Sequence, residues 1–364
     1  MIKLTSFPFV VPPGETLSET LEGLGMSQVE CAKRTGLSKK TINLIIAGKE
    51  PITQETALAF EKVFKVPARF WLNLETTYRE NLARLEEEKG LEEHAEWARE
   101  FPYPAMVKRE LVPKTIKASE KVRFLQEYFA VRNPDQWEKV YRAEGLALSY
   151  RKCPKASEKR AALSAWLREG EVQADAAEVA PFNKALFVEN LKKARELTGL
   201  TPDEFLPMLK ELCAEAGVIY LLVPEYPGLG VSGVMRWYRG RPVIQQTLRF
   251  KTNDSFWFTF FHEGRHVLQV KKTTVFLEGV SAEHGDQRRE NDADKFARDL
   301  LIPPAMWERF RAACPKPTTA HIEKLAEEAK VHPAMVVGRV FREKLLPYGH
   351  PVQRLQVKFT WSEN

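Results

Sequence analysis

No stretch of the 364-residue chain approaches 18 consecutive apolar residues, so no membrane-spanning helix is expected. The first residues, Met1-Ile2-Lys3-Leu4-Thr5-Ser6-Phe7-Pro8, show no basic segment leading into an apolar core, so no secretory leader is expected either. Cysteine is scarce: Cys31, Cys153, Cys213 and Cys314 are too scattered for a disulfide framework or a C-x-x-C site. A reducing cytoplasm is the expected compartment. Neither sign of charge dominates; 55 Lys and Arg face 49 Asp and Glu, a net +6 that permits nucleic-acid binding without demanding it. What is present is apolar and aromatic material, 44% and 10% of the chain, which supports real cores in two or three domains and excludes a disordered chain.

Histidine is also sparse, 7 residues, yet two of them fall four apart in Phe261-His262-Glu263-Gly264-Arg265-His266. On a helix, positions four apart lie one above the other, so His262 and His266 can address one metal ion. Zinc suits neutral imidazole and a tetrahedral site with one or two further ligands. Glu263, rotated from that pair, is placed to act as general base on the attacking water. The plain alternative is a helix with two exposed histidines. The apolar run Phe256-Trp257-Phe258-Thr259-Phe260-Phe261 argues for a buried helix instead, and buried His or Glu needs partners. Downstream, Arg288 to Pro303 reads as a helix with Ala293, Phe296, Ala297, Leu300 and Leu301 inward. Glu290 shares the Ala293–Ala297–Leu301 stripe, while Asp292 lies further round, so Glu290 is the expected third ligand. Asp294 is placed to bond the outer nitrogen of a ligating histidine and fix its tautomer.

The N-terminal part reads as a compact helical unit. In Met26 to Lys49, Ser27 and Ser38 can cap two helices, Gly36 permits a tight turn, and Ala32, Ile42 and Ile45 would pack inward. That is a helix-turn-helix pattern, although any two-helix hairpin shares part of it. Five basic residues against one acid (Lys33, Arg34, Lys39, Lys40 and Lys49 against Glu30) give a local excess suited to phosphate. The second helix would enter the major groove with Ser38, Lys39, Lys40, Thr41 and Asn43 at its exposed start. Asn43 is the candidate adenine reader, and Gln28 and Lys49 are candidate phosphate contacts. Thr53 can cap a further helix.

The run from Pro13-Gly14-Glu15 through Gly48-Lys49-Glu50-Pro51-Ile52-Thr53 to Phe70-Trp71-Leu72-Asn73-Leu74 resembles the HigA group of XRE-type helix-turn-helix antitoxins. That resemblance implies a five-helix domain binding operator DNA as a homodimer. Val218 to Val223 reads as a buried strand, and Val231–Tyr238 and Pro242–Thr247 as a hairpin around Arg239-Gly240-Arg241. Such a sheet can hold an extended peptide by strand addition. The order strands, H-E-x-x-H helix, then Glu290, Ala293, Asp294, Phe296, Ala297, Leu300, Leu301 and Pro303 resembles the ImmA/IrrE zinc metallopeptidases. It implies His262, His266 and Glu290 as ligands of Zn2+ and Glu263 as catalytic base. Gly264 and Arg265 between the histidines, and Asp294 where that family has Asn, depart from the usual pattern.

The expected fold is mainly α with a small β-sheet (α+β). Residues 1–80 form the helix-turn-helix domain, 81–180 a helical middle region, 181–346 a zincin-like metallopeptidase domain, and 347–364 a tail. Residues 77 to 98 read as a polar-surfaced helix. Thr318 or Thr319 caps a helix to Glu328, and Val331 to Val340 reads as helix-turn-helix-like core packing. His284, His321 and His332 read as ordinary polar residues. The expected function is a DNA-binding transcriptional regulator whose zinc endopeptidase site cleaves a repressor or partner protein. The alternative is a non-catalytic antitoxin and autorepressor that binds a cognate toxin.

Overall fold

The computed structural model describes residues 11–141, 156–269, 276–277 and 287–361. Expectations made for Met1–Pro8, Cys153 and His284 lie outside the described residues. The chain divides into two compact units, Met1–Ala95 with Lys117–Val122, and Glu96–Ile116 with Arg123–Asn364. It is mainly helical with one small sheet, an α+β fold. Among the described residues no helix is long and apolar enough to cross a membrane.

The first unit holds α1 (Pro13–Gly23), α2 (Gln28–Thr35), α3 (Lys39–Ile46), α4 (Gln54–Phe64) and α5 (Ala68–Glu93). Local chemistry sets the boundaries. Ser27, Ser38 and Thr53 each accept a bond from the backbone N–H three residues on, which satisfies a donor the helix cannot. Gly36 ends α2 at φ 75°, a conformation glycine adopts without a steric penalty. Leu17, Cys31, Ile42, Ile45, Phe60 and Trp71 are buried between the helices. Gly14 is required by contact: a Cβ there would stand 2.2 Å from the Ile45 carbonyl oxygen, so α1 meets the end of α3 backbone to backbone. The buried carboxylate of Glu75 accepts from the Ile52 N–H at 3.1 Å and pairs with Arg79 at 2.7 Å, tying the α3–α4 connection to α5. The polar helix read over 77–98 is mostly the continuation of α5, since no proline interrupts Ala68–Glu93.

The second unit is built on a four-stranded sheet of order β1-β3-β2-β4, comprising β1 (Ile219–Leu222), β2 (Gly233–Tyr238), β3 (Arg241–Gln246) and β4 (Phe276–Leu277). β1 runs parallel to β3, while β2 is antiparallel to both β3 and β4. The β2–β3 hairpin turns on Arg239 and Gly240 at φ 49° and 77°, the two positive-φ residues that a tight right-twisting hairpin needs. Helix Asn253–Gln269, the histidine helix, covers one face; Phe260 meets Tyr220 edge-on at 5.4 Å.

The opposite face is covered by the 21-residue helix Ala156–Ala176, which the sequence reading placed in the middle region. Gln245 donates to the Trp166 carbonyl at 2.6 Å. Arg236, 1% exposed, bonds Glu171 at 2.9 Å and the Leu167 carbonyl at 2.6 Å. Thr318 caps Thr319–Ala329, and Ile322, Leu325, Val336, Val337 and Val340 are buried in the same core as the histidine helix. His321 completes the Thr318 capping box, and His332 caps helix Pro333–Arg342.

Candidate metal centre

The histidine helix is buried on nearly every side. Phe256, Trp257, Phe260 and Phe261 enter the core, and the same turns carry His262, Glu263 and His266 to 2%, 0% and 1% exposure. Helix Gln287–Leu301 lies alongside. Its buried stripe of Ala293, Ala297 and Leu301 turns Glu290 toward the histidines. Ligand atoms of His262, His266 and Glu290 lie within 4.8 Å of one another. His262 Nε2 and His266 Nε2 are 3.0 Å apart, and the two Glu290 oxygens stand 3.1 and 3.2 Å from them.

The partners of the outer nitrogens fix the tautomers. Asp294 Oδ1 accepts from His262 Nδ1 at 3.0 Å. Gln269 Oε1 accepts from His266 Nδ1 at 3.0 Å, because the Gln269 amide donates the other way, to Asp292 at 2.5 Å and to the Arg289 carbonyl. With both Nδ1 atoms protonated, both Nε2 atoms present lone pairs, and so does the Glu290 carboxylate. Three lone-pair donors facing one another at about 3 Å repel unless a cation sits among them. A tetrahedral zinc with bonds near 2.05 Å separates its ligand atoms by about 3.3 Å. The donor set and its spacing therefore fit a divalent cation of the zinc type.

The carboxylates are held ionised. Burial pushes the Glu290 carboxyl upward, but N–H donation and positive charge from His262 and His266 in their protonated form outweigh burial and hold it at about 2; with both Nε2 lone pairs free, a cation supplies that positive charge instead. Asp294 is likewise lowered despite burial, by His262 and then by Arg342, which bonds its second oxygen at 3.2 Å. Asp292 is lowered despite partial burial by Arg265, at 2.8 Å. Glu263 projects toward strand β2. A Cβ on Gly233 would meet the Glu263 Cγ and Oε1 at 3.0 Å and the Thr259 methyl at 2.9 Å, so only glycine leaves room for this carboxylate.

The structure thus brings His262, His266, Glu290 and Asp294 together, while Glu263, the next residue after His262, packs against Gly233 of β2. It adds Gln269, Asp292 and Arg342, which the sequence reading did not assign to the site. Gln269 had a signal, lying three residues after His266 on the same helix; Arg342 had none, being 48 residues from its partner Asp294. In the first unit, Ser38, Lys39, Lys40, Asn43 and Lys49 are exposed, and Gln28 and Thr41 are half-buried. The Ser38 and Thr41 hydroxyls bond each other at 3.0 Å at the start of α3.

Residues 17–71 match the helix-turn-helix family model. Virulence-associated protein I of Dichelobacter nodosus is 38% identical over 69 residues, which are 19% of this chain and 64% of that protein. The chain therefore spans less than two thirds of that relative's length. A solved addiction module antidote protein of a HigA family from Coxiella burnetii is 34% identical, over 23% of this chain and 92% of that one, with a TM-score of 0.22. Residues 17–71 are a helix-turn-helix domain of the XRE type.

Proposed function

We propose that the protein is an operator-binding regulator that carries a zinc-dependent endopeptidase site acting on a regulatory protein. The observation that carries this reading is the convergence of His262, His266 and Glu290, with both imidazoles held through their Nδ1 atoms and a buried Glu263 next to His262 on the same helix. The resemblance to the ImmA/IrrE metallopeptidases supports it. His262, His266 and Glu290 would hold the ion; when bound, zinc polarises a carbonyl and acidifies water. Glu263 takes the proton of the attacking water on its carboxylate. The water oxygen bonds the scissile carbonyl carbon, the C–N bond breaks, and Glu263 returns the proton to the leaving amine. Asp294 and Gln269 hold the two imidazoles in register through their Nδ1 atoms.

The helix-turn-helix unit supplies DNA binding through the exposed start of α3, with Lys39 and Lys40 on phosphates and Asn43 on a base edge. A homodimer would read two half-sites. Metal analysis of the purified protein together with a Glu263→Gln variant tests the enzymatic part. We expect about one zinc per chain in both proteins, and a loss of about 10² to 10⁴ in peptide cleavage in the variant. Protein lacking metal, or cleavage unchanged in Glu263→Gln, overturns it.

A further inference from the structure

A cavity of about 140 Å³ lies against the histidine helix, one turn before the metal cluster. Phe258, Leu301, Ile302 and Met335 give it apolar walls. It joins the candidate site at two points. Thr259 lines it, and the Thr259 methyl and the Glu263 carboxylate crowd the same spot beside Gly233. Arg342 also lines it while bonding Asp294, and its guanidinium lies 5.6 Å from the centre of the Phe258 ring. Phe258 in turn lies 6.1 Å, ring to ring, from His262. A group seated in the cavity is therefore within a residue's length of Glu263.

We infer that this cavity receives one apolar side chain of the substrate next to the scissile bond and sets the cleavage preference; the inference rests on the peptidase reading. Size and charge choose the occupant. A dry cavity of about 150 Å³ lined by Leu, Ile and Phe accepts benzene, so 140 Å³ suits a side chain from leucine to phenylalanine and not tryptophan. The charges at its margin are matched. Arg339 is held by Glu343 and the Ile302 carbonyl, both at 3.0 Å, and Arg342 by Asp294. Arg298 and Asp254 add one further charge of each sign. One oxygen of Asp254 is buried without a hydrogen-bond partner and is the single competing draw for a cationic group, which a wild-type preference for Lys would report; the apolar walls favour a neutral side chain.

The test is cleavage of a positional peptide library by the zinc-loaded full chain, the wild type against Met335→Trp, which fills the cavity, and Phe258→Ala, which widens it. Circular dichroism and zinc content verify each variant, and either variant alone suffices should the other fail to fold. The wild type should favour Leu, Met or Phe over Ala at one position by about tenfold or more. Met335→Trp should shift that preference to Ala or Gly, and Phe258→Ala should extend it to Trp. Cleavage with the preference unmoved in a folded variant, or a wild-type preference for Glu or Lys, overturns the pocket and leaves the peptidase standing. Absence of any cleavage by protein shown to hold zinc overturns both.

Discussion

Adding a single methyl group at Gly233 should separate proton transfer from metal binding. Gly233 lies in ordinary strand backbone, outside the positive-φ glycines, so alanine meets no conformational barrier there. The cost is steric. The new Cβ would stand 2.9 Å from the Thr259 methyl and 3.0 Å from the Glu263 Cγ and Oε1, where ordinary contact begins near 3.4 Å. β2 cannot retreat easily, being bonded to β3 on one side and β4 on the other. The carboxylate of Glu263 must therefore yield. Overpacking of this kind costs about 1–3 kcal/mol. Displacing a reacting group by about 1 Å costs about 10²-fold in rate. We expect Gly233→Ala to lose about 10- to 100-fold in kcat/KM, and its zinc Kd, from chelator competition, to move by less than about threefold, since none of the ligand residues is among the groups crowded by the methyl. Thermal melting would register the strain separately. Unchanged turnover in a folded variant, or a loss of activity matched by a loss of zinc, would refute the placement of Glu263.

Other expectations follow from the same geometry. Asp294→Ala and Gln269→Ala should each weaken zinc binding by about 10- to 100-fold, measured by chelator competition, because each frees an imidazole to rotate; equal affinity in both would sever them from the site. Burial raises the Asp254 carboxyl above its ordinary 3.8, although neighbouring bonds partly offset it. A raised folded-state pKa means that stability is lost as pH climbs from 3.8 through the raised value. Asp254→Asn should therefore gain on the wild type in urea unfolding at pH 7 relative to pH 3.5; the opposite trend would contradict the sign. Lys39→Ala with Lys40→Ala should lower the slope of log affinity against log salt for operator DNA by about 2, and an unchanged slope would remove both from the interface. Ser38→Ala deletes the cap on the Thr41 N–H at 3.0 Å and should cost about 1 kcal/mol in thermal unfolding of the first unit.

What could be read in the sequence was what short spacing encodes. The caps at Ser27, Ser38 and Thr53 and the turn at Gly36 bond within three or four residues, so their signals lie side by side in the chain. The pair His262 and His266 is set by one helical turn, and Glu290 by the apolar stripe of its own helix. What escaped was long-range. Arg342 meets Asp294 across two helices, and the need for glycine at position 233 appears only when Glu263 lies against it. Helix Ala156–Ala176 escaped for a different reason. Every position from Ala161 to Leu167 is buried, so no polar face betrays its orientation.

The bond between Arg236 and Glu171 has a bearing on modular exchange. β2 carries Gly233 beside Glu263 at one end and, three residues on, sends Arg236 through to the far face of the sheet, into helix Ala156–Ala176. A chain started at residue 181 keeps every candidate metal ligand yet removes both partners of the Arg236 guanidinium and bares to water the sheet face that this helix covers. Recombination or gene fusion that moves the candidate metal centre intact must therefore carry helix Ala156–Ala176 with it, together with the segments around Arg109 and Tyr128 that bond that helix, as one heritable piece.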